Sequence, residues 1–148
     1  MLNQIVLVGR TTRDMALKIS TTGRPFGTVT VAVTRAFKNQ ETNTYDTDFI
    51  DVSVWGITAV NVAKYAGKGS AISIRGRVAT RILDFPGEKT MKSIGIIAQQ
   101  VSFIHTKPPS ETEQLEKEIR EIATDELILE DFPTGEDFNE ALENADEQ

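Results

Sequence analysis

The chain has 148 residues, 39% of them hydrophobic, with 16 Lys/Arg against 22 Asp/Glu and no cysteine. That size holds one domain with a proper core plus an appendage. The missing cysteines exclude disulfides, a thiolate nucleophile and a cysteine-based zinc site. No apolar run reaches the length of a membrane span, and Met1 to Arg10 lacks the basic-then-apolar pattern of a secretory signal. The expected location is the cytoplasm.

The net charge of −6 conceals a segregation of signs. Residues 1–108 carry 14 Lys/Arg and 7 Asp/Glu, whereas residues 109–148 carry 2 Lys/Arg and 15 Asp/Glu. A basic domain of net +7 is therefore joined to a tail of net −13. The first half attracts a polyanion; the second competes with that polyanion or serves another partner.

Gln4 to Val8 is a short β-branched run closed by Gly9 and Arg10, and reads as the first strand. A short extension follows at Leu17 to Ser20, then a turn at Thr22-Gly23-Arg24-Pro25. Gly27 to Val33 alternates Val29, Val31 and Val33 with Thr28 and Thr30, the period of a half-buried strand. The polar stretch Lys38 to Asp46 predicts a long hairpin loop, and Thr47 to Gly56 the third strand. Thr58 is placed to cap a helix whose stripe is Ala59, Val62, Ala63 and Ala66, with Gly67 as its stop. Ser70 to Phe85 predicts a long strand, Pro86-Gly87 a turn, and Thr90 to Ile104 the last strand. Three strands, a helix and two strands is the order of a mainly β, five-stranded OB barrel, although other small mixed folds share it. Pro108-Pro109 ends the domain, giving residues 1–107 as the barrel and 108–148 as an acidic tail, partly helical or disordered. Ser110 with Glu113 forms a capping-box pattern at the tail's start.

Strand parity locates a candidate site. In the third strand Ile50, Val52 and Val54 point one way, and Phe49, Asp51, Ser53 and Trp55 the other. In the long strand Ile72, Ile74, Val78 and Ile82 share one face, while Ser73, Arg75, Arg77, Arg81, Leu83 and Phe85 share the opposite one. Two strands thus pair an aliphatic face with a face mixing aromatic rings and cations. Such a face suits single-stranded nucleic acid: every base can stack on a ring, and cations neutralise phosphates and release counterions. Phe37 has the parity of the core valines, which leaves a core role open, but Arg35 and Lys38 beside it favour a binding role. Phe26, Phe103 and Tyr65 read as core or interface residues, and Tyr45 in the polar hairpin as either stacking or idle.

Catalysis is not expected. His105 is the only histidine, so no histidine triad or metal pair can assemble. Gly67-Lys68-Gly69-Ser70 has Val62 where a phosphate loop needs its first glycine. Asp46, Asp48 and Asp51 read as a solvated strand end and not a metal site. No cofactor is implied. An OB module binding RNA or a protein partner is the alternative function.

Four stretches in order, NQIVLVGR from Asn3 to Arg10, TDFIDVSVW from Thr47 to Trp55, KGS from Lys68 to Ser70 and GRVATR from Gly76 to Arg81, carry a resemblance. The chain resembles the bacterial single-stranded DNA-binding protein family across roughly residues 1–105. The resemblance implies an OB fold, tetramers built from dimers, with a dimer as the other assembly left open, and DNA wrapped over the outer surface in replication, recombination or repair. It puts the stacking aromatics at Phe37, Phe49 and Trp55, and basic contacts at Lys38, Lys68 and Arg81. The chain also departs from the family pattern. Ile82 and Leu83 stand where many members carry an aromatic, with Phe85 as the substitute at Leu83's parity. The charged segment 110–126 replaces a Gly/Pro/Gln-rich linker. Asp131-Phe132-Pro133 lies inside the tail instead of an acidic terminus followed by Pro-Phe, which bears on docking to replication and repair proteins. These departures fit a plasmid- or phage-borne member.

Overall fold

The computed structural model describes residues 1–84, 86–87 and 90–109, so Phe85 and the acidic tail lie outside the described residues. Its elements are β1 (Ile5–Thr11), β2 (Lys18–Ile19), β3 (Pro25–Lys38), β4 (Tyr45–Trp55), α1 (Gly56–Tyr65), β5 (Ala71–Leu83) and β6 (Met91–His105). Five long strands close into a barrel with the helix between β4 and β5, the arrangement expected of an OB fold.

Closure depends on β1 serving two neighbours. It pairs β5 from Ile5↔Gly76 to Arg10↔Ala71, and its last residues also pair β3 at Arg10↔Ala32 and Thr11↔Val31. The antiparallel β3–β4 and β5–β6 hairpins form the walls, and a single parallel register, Ser53↔Ile97, joins β4 to β6. The β-branched residues of alternate positions fill the interior, where a pleated surface packs them well. Val29, Val31, Val52, Val54, Ile72 and Ile74 are fully buried there. Helix α1 plugs the barrel with Ala59, Val62, Ala63 and Ala66, the stripe read from the sequence.

The hairpin strands run further than the sequence indicates. The expected loop from Lys38 to Asp46 shrinks to residues 39–44, where Asn39 accepts the Asn43 N–H and Asn43 takes a positive φ of 55°. Thr58 does not cap α1. The helix starts three residues earlier than that cap requires, at Gly56, whose φ of 62° turns the chain directly out of β4, and no side chain caps it. Ile82, expected on the core face, is 68% exposed. The β1–β5 ladder stops at Gly76, with Asn3 adding side-chain bonds to the Val78 backbone (2.7 and 2.9 Å). Beyond that point the β5–β6 ribbon outruns the barrel and has no interior to face.

At the opposite end the chain leaves the barrel under restraint. Lys107 accepts the Gly67 N–H at 2.8 Å and donates its own N–H to Ser70 Oγ at 2.8 Å, and Pro109 is buried. Among the described residues no helix is long and apolar enough to cross a membrane.

Candidate nucleic-acid interface

In an antiparallel ladder, residues directly opposite one another point the same way, so the registers define the outer face row by row. One row runs Lys18, Phe26, Trp55 across β2, β3 and β4. The next runs Thr28, Ser53, Ile97, Arg77 from β3 to β5. Further along, Thr30 stands opposite Asp51, and Ala32 opposite Phe49. Parity therefore sorts Phe49 and Trp55 onto one face, away from the aliphatic interior, as expected.

The two rings meet different surroundings. Phe49 is 69% exposed, because its opposite number is the short Ala32. Trp55 is only 6% exposed. Its ring stacks on Phe26 at 4.9 Å between centroids and 21° between planes, and Ile97 and Ala79 complete the cluster. The indole Nε1–H is buried there without a hydrogen-bond partner. Trp55 thus stands as a wall of a small second core, not as an open platform like Phe49. Phe26, read as core or interface from the sequence, is core.

Phe37 is 86% exposed. Its core parity has no consequence, because the β3–β4 ladder shifts register between Thr34 and Lys38 and the hairpin stands clear of the barrel. Lys38 pairs with Tyr45 and lies over its ring at 5.6 Å. Arg35 is engaged by carboxylates. Its Nη2 and Nε donate to Asp48 at 2.7 and 3.0 Å, and Asp46 lies 3.5 Å away. That fork of hydrogen bonds holds the Asp48 carboxyl below its usual range and raises Arg35 further. Asp51 in turn accepts the Thr30 hydroxyl. The three strand-end aspartates are thus occupied by partners within the sheet.

The remaining predicted cations divide into three places. Arg77 lies in the Ser53–Ile97 row beside the Trp55 cluster, and Arg81, four residues on, stands opposite Ser93. Arg75 stands between Val6 of β1 and Gln100 of β6, further round the barrel. Lys68 is exposed at the opposite end from the hairpin, its backbone N–H bound to Asp14 at 2.6 Å. Sequence reasoning passed over Lys18 and Arg13; the former's register with Phe26 was the missing signal. It also passed over the exposed Val6, Val8 and Ile104.

A family model described as the single-strand binding protein family matches residues 2–104. The chain belongs to that family. A single-stranded DNA-binding protein of Oceanobacillus iheyensis is 39% identical over 107 residues, covering 72% of this chain and 66% of that protein. Single-stranded DNA-binding protein B of Bacillus subtilis is 35% identical over 108 residues, covering 73% of this chain and 95% of that protein. The match thus spans just under two thirds of the first relative and nearly all of the second. Among solved structures, a Plasmodium falciparum SSB in complex with ssDNA aligns with a TM-score of 0.59 at 24% identity, over 70% of this chain and 96% of that one. The structural likeness is one of fold.

Proposed function

We propose that this chain binds and protects single-stranded DNA without sequence preference, in replication, recombination or repair, by base stacking and phosphate neutralisation. The carrying observation is Phe49, a ring left open on the outer face of a domain whose net charge is +7. Lys38, opposite Tyr45, extends that face along the hairpin, where Phe37 is also exposed; Arg77 and Arg81 border it on β5, and Trp55 closes its other end. Unpaired bases can lie flat on such rings; in a duplex the base faces are already occupied. The family and the names of the relatives support the reading. Binding, and not catalysis, is its activity, in the cytoplasm. Val6, Val8 and Ile104, exposed on the outside of β1 and β6, support self-association into a dimer or tetramer. The acidic tail competes for the basic face or docks replication and repair proteins.

The test is equilibrium binding of the full chain to labelled oligo-dT, with duplex DNA, oligo-U and heparin as competitors. Oligo-dT outcompeting duplex and heparin is the expected result. Heparin binding as tightly as oligo-dT would reduce the interaction to charge alone, and preference for oligo-U would make RNA the ligand.

A further inference from the structure

Segment 13–17, between β1 and β2, folds back over β3. It packs so closely that a β-carbon at Gly27 would lie 2.7 Å from the Met15 sulfur and 2.9 Å from the Ala16 carbonyl oxygen. The fold leaves a pocket of about 240 Å³ lined by Arg13, Asp14, Ala16, Lys18, Phe26, Gly27 and Thr28. The pocket sits at the foot of the outer face, beside the Lys18–Phe26–Trp55 row. Phe49 lies six β3 registers away, about 20 Å at the rise of a strand.

Its lining identifies the kind of group it takes. Phe26 is 2% exposed and stacked on Trp55, so its ring leaves the pocket no open stacking surface; a base gains little there. The polar groups are two cations, one hydroxyl and one carboxylate. The carboxylate, Asp14, is already tied through Oδ1 to the Lys68 N–H at 2.6 Å. Lys18 is half-buried in register with Phe26, and Arg13 is exposed. Two cations against one carboxylate leave the lining at net +1, and with the Thr28 hydroxyl this matches a singly charged phosphodiester, with charge-assisted hydrogen bonds from the cations to its free oxygens.

The geometry points to a phosphate anchor: Arg13, Lys18 and Thr28 seat one phosphodiester of the same strand whose bases stack at Phe49, fixing the far end of its path. This inference rests on the single-strand reading above. It adds to that reading a polarity of roles along the face, with stacking at the hairpin end and ionic anchoring at the β2 end.

The test is the salt dependence of oligo-dT binding by the full chain, with an oligonucleotide long enough to cover the whole face. Each phosphate neutralised contributes about 0.7 to the slope of log K against log salt for single strands. Arg13→Ala with Lys18→Ala is expected to lower the slope by about that amount and weaken binding. The charge-preserving pair Arg13→Lys with Lys18→Arg retains the slope, and Phe49→Ala weakens binding without altering it. Emission from the sole tryptophan, Trp55, stacked behind the pocket wall, verifies that each unbound variant keeps its fold. A slope unchanged in the folded double-alanine variant overturns the anchor and leaves stacking intact. A wild-type chain that fails to bind oligo-dT at all overturns both readings, a result of a different kind.

Discussion

Both ends of the outer face carry an aromatic on β4, six residues apart and at the same parity, yet one is a platform and the other a wall. The backbone treats Phe49 and Trp55 alike; the residue across the ladder decides. Ala32 leaves Phe49 uncovered, whereas Phe26 takes the face of the Trp55 indole and the β6 residue Ile97 closes over it. The face therefore combines a rigid lower half, held by its own packing, with an upper half whose apolar surface is left uncovered. Exposed rings that size are costly to leave in water, and contiguous ones mark interaction sites. A packed ring beneath gives the exposed one a fixed scaffold.

The sharpest way to break this comparison is to remove the packed ring. Trp55→Ala leaves a cavity between Phe26, Ile97 and Ala79, and large-to-small changes of this kind cost about 3–5 kcal/mol. The expected result is a large fall in the urea midpoint. Oligo-dT binding should weaken only through the disturbed scaffold, when measured well below that midpoint. A Trp55→Ala variant of unchanged stability that loses DNA binding would make Trp55 a platform after all and erase the distinction between the two halves.

Phe49→Ala is the mirror experiment. An exposed ring opposite an alanine holds up nothing, so stability should move by no more than about 0.5 kcal/mol, the scale of ordinary surface changes. Oligo-dT affinity should fall by about 1–3 kcal/mol, the worth of one stacked base. Calorimetric unfolding and fluorescence anisotropy on the same preparation read both quantities. A destabilised Phe49→Ala with intact binding would reverse the assignment.

These contrasts also mark how far the sequence can be read. The alternation of Val29, Val31 and Val33, the buried pair Ile72 and Ile74, the helical stripe and the outward parity of Phe49 all depend on local period, and each stands as expected. What escaped depends on distant registers. Whether Trp55 is open depends on Phe26, on another strand, which only the β3–β4 register brings opposite it. Ile82 kept its core parity on paper and lost its core, because β1 ends level with Gly76 and leaves the ribbon beyond without an interior. Phe37 lies past the β3–β4 register shift, on a hairpin with no core beneath it, and is exposed despite its parity. Lys18 drew no notice in a two-residue strand whose only pairing is with β3. Parity assigns a side chain to a face, and neighbours across the sheet determine what that face becomes.

The smallest expected effect concerns Arg35, which the sequence offers as a phosphate contact and the fold pairs with Asp48. Asp48 is held below its ordinary pKa of 3.8, chiefly by the hydrogen bonds from Arg35. A depressed carboxyl stays ionised through the neutral range, so the pair is intact above the ordinary carboxylate value and dissolves only as pH falls through the depressed one. At neutral pH, then, the hairpin ribbon that carries Phe49 holds one of its cations to its own sheet, on the side opposite that ring. Asp48→Asn should release that cation: oligo-dT binding tightens several-fold at low salt, and the salt slope steepens by about 0.7, one phosphate's share. Glu41→Gln, in the same hairpin, makes the same charge change without touching Arg35 and separates the released fork from the general gain in positive charge. If both variants gain equally, the Arg35–Asp48 pair does not restrain binding, and the upper half of the face depends on its rings and on Lys38. A larger gain for Asp48→Asn alone means that the sheet sets how strongly its open end grips a strand, through a carboxylate one register from the Ala32–Phe49 pair.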